Sequence, residues 1–545
     1  MSPAELRVDR VLGDGPFREI GEPRVAAVSP DGRLIAVGGA LAHPQWHGQD
    51  VSARSRPHPG WYPVGVYRTD DLSCRYHLTS RWRSNTIAFH PALPLVAIGT
   101  GSYDGGWAYE GELLLLDLDS GSVVSLLPHS REVRRVTWRD ARTLDLVLAI
   151  PCDEDEKRFG ARSLAWAVTR DDWASATDGM LRPPFGADPV PDPPRADPAA
   201  AAAHLGRLGR ERGRTWSPRR TVWAVRGLSD GRILAALEGI GLECWSGASG
   251  EPLWRVPAEG AGCQITVSPD ERWALALTQT PPRFQDRGWT TDPSMLRRVD
   301  LARGDVRATE TETAATPVVV TARADGWWAL RDTRHDSRAA SGEALLHAPD
   351  GRPTNTVRLG RYDLINHFFD IRYAPELLFL QGREDKPWRD KWVVAVDAPE
   401  GRVRRLFPLE WDAARGGHLY GGAGAYLDDA SGPALVHTGV VHDGAGLLPG
   451  NAFVVRRAYP GGAAQWVFIA DHQATALDAA DGIVYVVFNS GELVVLDARD
   501  GAVRLRQELR VNGHRVVPLS LSRVAAGRLV IGTLDGRILD CTVLT

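Results

Sequence analysis

Ten times along the chain a short apolar strand, a turn and a second strand rich in Val, Leu, Ile and Ala follow one another. The clearest copy runs from Val25 to Gly39, with Ser29, Pro30, Asp31 and Gly32 at its turn. Others begin near Thr86, Val133, Val222, Ile265, Val318, Phe368, Ala425, Ala474 and Val516. The central turns use mainly Pro, Asp or Gly, which supply the dihedrals a hairpin needs. A chain that repeats one such unit has little freedom. Each copy buries its apolar surface only by stacking on a neighbour, so a repeat architecture follows.

Most copies are followed by a second hairpin that closes on glycine: Glu112–Gly121, Leu242–Gly250, Arg298–Gly304, Val394–Gly401 and Glu492–Gly501. Two hairpins make a four-stranded unit of roughly 40–60 residues, the size of a propeller blade. The fold expected is therefore all-β, a β-propeller of about ten four-stranded blades occupying residues 1–545, with long loops on one face. The last copy offers three strands, Val516–Ser522, Arg528–Thr533 and Arg537–Leu544, and Glu5–Leu12 can supply the fourth. Pairing the two chain ends favours one closed ring. Two fused propellers are the alternative, because ten blades exceeds the usual four to eight. Residues 175–215 break the pattern. Their Pro-rich part, Met180–Pro198, reads as an extended linker, and Ala199–Arg214 as a short helix weakened by glycines. The expectation there is a flexible insertion, either a tolerated surface elaboration or a docking arm.

The Ser29–Arg33 turn and the third-strand pattern Trp/Asp-x-x-x-Gly, as in Asp117–Gly121 and Asp497–Gly501, resemble those of WD-repeat and quinoprotein-like bacterial propellers. The resemblance covers almost the whole chain at the level of fold, since both motifs make turns. The Gly-His pair of orthodox WD repeats is largely missing, and only Trp245 stands at a clear Trp position. The resemblance implies a non-catalytic subunit of the kind found beside ATPases, kinases, or defence and signalling machines.

Net charge is −4 over 545 residues, which argues against a nucleic-acid partner held by overall charge. Only Lys157, Lys386 and Lys391 are lysines, so arginine carries nearly all the positive charge. The five cysteines (Cys74, Cys152, Cys244, Cys263, Cys541) form no C-x-x-C pair, as expected of reduced thiols in a cytoplasmic protein. The N-terminal residues lack the apolar core of a signal peptide, and no run reaches the roughly 18–20 apolar residues of a membrane span.

The long connections between hairpins carry the functional expectation. They are Ala40–Pro63, Gly101–Gly111, Pro151–Ala161, Gln279–Ser294, Thr333–Ser341, Gly382–Lys391 and Val440–Gly450. In a propeller such connections emerge on one face, and loops grouped on a rigid scaffold are where binding resides. These hold Trp46, Trp61, Tyr103, Trp107, Trp289, Arg334, Trp388 and Arg389, with His47, Tyr62 and His335 nearby. Trp, Tyr and Arg dominate interface hot spots. The function expected is a protein–protein interaction scaffold in a cytoplasmic complex, with no cofactor, metal, nucleic acid or membrane. Two other readings compete. Arg334, His335, Asp336, Asp385 and His442 can form an acid–base set for a hydrolase or lyase at the channel mouth. His43, His47, Asp50 and His58 can hold a metal or small ligand. The acidic run Asp153–Glu156 lacks the spacing of a calcium loop. No nucleotide-binding loop, H-E-x-x-H zinc helix or G-x-S-x-G elbow is present, and the Gly416–Gly424 run lacks a following Lys-Ser/Thr.

Overall fold

The computed structural model describes residues 5–41, 62–103, 107–128, 131–183, 187–279, 283–285, 288–290, 294–312, 318–332, 343–359, 370–383, 390–409, 418–442 and 447–544. They form antiparallel sheets with little helix, so the chain is all-β. Two compact units emerge, one built mainly from Met1–Gly13 and Thr221–Thr545, the other mainly from Asp14–Ala42 and Pro57–Arg220.

The smaller unit holds three four-stranded sheets, spanning 22–80, 84–127 and 133–190. Their middle strands have almost no polar face. Leu95–Thr100 is buried at every position, and Leu113–Asp117 at all but the last. The four leucines of that second strand show why. Leu114 and Leu116 pack with Val64, Val66 and Ile98 toward the preceding sheet, while Leu113 and Leu115 pack with Leu144, Leu146 and Leu148 of the following one. Successive side chains point to opposite faces, so a strand sandwiched between two sheets must be apolar throughout. Outer strands keep exposed positions instead, as Cys74–Ser80 does.

The 175–215 stretch holds the short helix expected, packed against the neighbouring sheet. Pro198–Glu211 is a helix of 14 residues, started by Asp197, whose carboxylate accepts from the amides of Ala199 (2.9 Å) and Ala200 (3.1 Å). Proline at the first helical position costs nothing there. Leu205 and Leu208 are buried against Phe17, Ile20, Ile35, Val37, Tyr67 and Leu72 of the 22–80 sheet and the residues before it. This packing overrides the weak propensity of the glycines.

In the larger unit the repeat is less regular than the sequence suggests. The copies beginning near Val222 and Ile265 share one six-stranded sheet, because Pro252–Val267 runs through both. Further sheets cover 318–358, 377–409, 418–470, 474–508 and 518–544. Glu5–Leu12 pairs antiparallel with Ile538–Leu544 at the edge of the last. The strand read from Phe368 is reduced to Ile371–Arg372, which leaves its own sheet with three strands and pairs in parallel with Gly424 and Ala425. Charged Asp370 and Arg372 flank the single apolar Ile371, so this segment cannot serve as a two-sided apolar strand.

Core packing passes from sheet to sheet. Leu346 meets Phe379 and Val394; Leu380 and Val393 meet Leu435 and Val455; Val436 and Val454 meet Leu477 and Val486; Val487 and Leu493 meet Leu521 and Leu529. Val530, Ile538 and Leu12 of the last sheet then join Val222, Ile233 and Trp245 of the first. Gln264 Oε1 accepts from the Val320 amide (2.9 Å), linking the six-stranded sheet to the 318–358 sheet.

The motifs of the sequence are turn devices. Ser29 Oγ contacts Asp31 (2.6 Å) and accepts from the Leu34 amide, and Ser268 does the same with Asp270 (2.7 Å) and Trp273. In the second hairpin the amides of Gly121, Gly304, Gly401 and Gly501 donate to the carbonyls of Asp117, Asp300, Asp397 and Asp497 at 2.8–2.9 Å. Gly501 has φ +75°, and a Cβ there would lie 2.8 Å from Trp466 of the preceding sheet. Gly304 repeats this against Trp254 at 2.6 Å. The glycine therefore serves both the turn and the approach of a neighbouring aromatic side chain.

Candidate functional site

Of the loop aromatic residues singled out from sequence, Tyr62, Tyr103 and Trp107 are described with their side chains, all in the smaller unit, and Tyr62 is partly buried at the start of Tyr62–Arg68. Trp289 is placed only as backbone, paired with Phe284 in a short hairpin of the larger unit. Trp46, Trp61, Arg334, Trp388 and Arg389 lie outside the described residues, as do His43, His47, Asp50, His58, His335, Asp336 and Asp385. His442 lies in the Gly432–His442 strand.

Tyr103 and Trp107 share a small hairpin in which Ser102–Tyr103 pairs with Tyr109–Glu110. The hairpin is fastened to the Pro151–Asp153 segment by main-chain bonds. The Tyr109 amide donates to Pro151 O and the Asp153 amide to Trp107 O, each at 3.1 Å, and Ala108 bridges Cys152. On the other side Glu132 N donates to Tyr109 O (3.2 Å). Side chains extend the frame. Tyr103 Oη donates to the Asp153 carboxylate, and its ring lies 4.9 Å from that of Tyr109. The Arg134 guanidinium sits 5.1 Å over Tyr109 and donates to Glu132 (3.1 Å), Ser163 Oγ (2.8 Å) and Asp192 (2.6 Å). Burial, with the Asp153 carboxylate beside it, pushes the Tyr109 hydroxyl above its ordinary pKa. Behind the hairpin Arg131 is buried and donates to Ala149 O (2.7 Å); burial lowers its pKa to about 10.

On this frame Trp107 is 55% exposed and Tyr103 39%. Both are thus large aromatic surfaces facing solvent on a backbone held from two sides. The acidic run borders them: Asp155–Phe159 is one helical turn, and Arg162 pairs with Glu156 (3.0 Å). Among the described residues no three His, Cys, Asp or Glu side chains are grouped to hold a metal ion. No helix among them is long and apolar enough to cross a membrane.

A second concentration of charge lies in the larger unit, around Arg226, Asp370, Arg372, Tyr373, Asp478 and Arg523. The sequence reading did not single it out. A signal existed: Asp370 and Arg372 interrupt an expected apolar strand, and Asp478 is the one charged residue in the buried run of Ala474–Ala480. What the sequence lacked was any indication that these distant positions meet.

No protein-family model matches the chain, and no curated protein matches it.

Proposed function

We propose that the protein is a non-catalytic scaffold that docks another protein through exposed aromatic side chains. The observation that carries this is Trp107: a half-exposed indole on a hairpin bonded to both the 151–153 segment and Glu132. A rigid aromatic anchor loses little conformational entropy on binding, which is why such residues serve as hot spots. Tyr103, 39% exposed on the same hairpin, extends this surface chemistry.

The scaffold itself is proposed to be a β-propeller. Seven blades belong to the larger unit, counting the six-stranded sheet as two, and the smaller unit adds three of the same repeat. Support comes from the doubly buried middle strands, the repeated Asp–Gly turns, and the contact of the last sheet with Val222 and Trp245. A cytoplasmic setting belongs to the proposal as well.

The test is affinity purification of the tagged full-length protein from its native cells, in wild-type and Trp107→Ala forms. The expected outcome is one stoichiometric protein that co-elutes with wild type and is depleted at least tenfold with the variant. A hot-spot loss of about 2 kcal/mol corresponds to roughly thirtyfold in affinity. The melting temperature should stay within about 2 °C, as for a surface substitution. Retained binding with a large fall in melting temperature would make Trp107 a packing residue and overturn the reading.

A further inference from the structure

Residues 370–373 cross between strands of several sheets in the larger unit. Ile371 and Arg372 pair with Gly424 and Ala425 of the His418–Asp429 strand. Asp370 forms an ion pair with Arg226 of Val222–Gly227 and accepts from Arg372 Nε (3.1 Å). Arg372 also pairs with Asp478 of Ala474–Ala480 and donates to Leu521 O of Pro518–Ala525 (2.5 Å). Asp478 accepts further bonds from Tyr373 Oη (3.1 Å), the Arg523 amide (2.8 Å) and its neighbour Ala479 N (2.8 Å). Four residues thus touch the first strand of four different repeat copies.

We propose that this segment is an ionic strap, a conformational device that holds those four strands in register. Three features carry it. The Asp478 side chain is fully buried and that of Arg372 nearly so, at 8%. Two guanidiniums, Arg226 and Arg372, converge on the one carboxylate of Asp370. Asp370 and Tyr373 hold positive φ values of +41° and +60° without being glycine, so the backbone is kept in an unfavourable conformation by its contacts. A buried ion pair is weak evidence for stability in itself and its best-attested use is to fix one arrangement over others. The same physics makes removal of one partner costly, because it strands the other charge. The strap does not depend on how a partner protein docks.

The test is a double-mutant cycle on the full-length protein: Arg372→Met, Asp478→Asn and both together. Amide hydrogen exchange would be followed by mass spectrometry. Each single variant should speed exchange at least tenfold in 222–227, 474–480 and 518–525, while 95–100 and 143–149 of the smaller unit stay unchanged. The double variant should lose less melting temperature than the two singles summed, as coupled sites do. If either single variant fails to fold, Tyr373→Phe removes one hydroxyl from a half-exposed ring and should still speed exchange about threefold at 474–480. Additive losses, or faster exchange confined to 370–373, would overturn the strap, as would an unchanged 474–480 in Tyr373→Phe.

Discussion

Gly501 and Gly482 share the same backbone angle, φ +75°, but not the same surroundings. A methyl at Gly501 would meet Trp466 at 2.8 Å, whereas nothing lies within 4 Å of the corresponding position at Gly482. Alanine at Gly482 should therefore cost only the conformational term, about 1–2 kcal/mol. At Gly501 overpacking adds about 1–3 kcal/mol. Urea midpoints of the two variants test the difference; equal losses would show that the turn matters and the aromatic contact does not. His347 supplies a second residue-scale test. Its ring stacks on Trp328 with centroids 3.7 Å apart, and burial holds its pKa down to about 4. The imidazole is neutral when folded and gains a proton more readily when unfolded. Its stability contribution is complete above about pH 6.5 and is lost as pH falls toward 4. Between pH 7 and pH 4.5 wild type should lose about 2–3 kcal/mol more than His347→Phe. Parallel pH profiles would refute this.

At the scale of elements, the strands and their turns were readable because both signals are local. A strand covered on two faces is a run of apolar residues, as in Leu113–Leu116, and its turn is closed by an Asp carboxylate accepting from nearby amides, as Asp497 does from Arg499 (2.8 Å). The elements that resisted depend on distant residues. Pro198–Glu211 reads as a weak helix until Phe17, Ile20 and Tyr67 are known to receive Leu205 and Leu208. Asp370–Tyr373 reads as a strand until Arg226 and Asp478 are known to be its partners. The candidate site divides in the same way. Exposed Trp107 and Tyr103 were visible as aromatics in a long connection, but the bonds that stiffen their hairpin come from Asp153 and Glu132. Local chemistry named the side chains, and long-range pairing holds the hairpin that carries them.

At the scale of the whole molecule, each of the two compact units carries its own apolar core. A domain with a separate core unfolds as its own cooperative step. Calorimetry of the full-length protein should therefore resolve two transitions, and core substitutions can assign them. Leu205→Ala empties a fully buried site between the helix and the 22–80 sheet, a change that costs about 2–5 kcal/mol. At roughly 2–4 °C per kcal/mol for a unit of this size, its transition should fall by about 5–15 °C while the other stays fixed. Gly501→Ala, which strains the packing of Trp466, should move only the other transition. The proposed ring gives this assignment a sharper consequence. If the 518–544 sheet and Val222–Gly227 close the larger unit through Leu12, Val530 and Trp245, loosening any one blade weakens every contact along the ring at once. Its transition would then shift as a single sharp step in Gly501→Ala. An open array, whose blades hold only their nearest neighbours, would broaden or split instead.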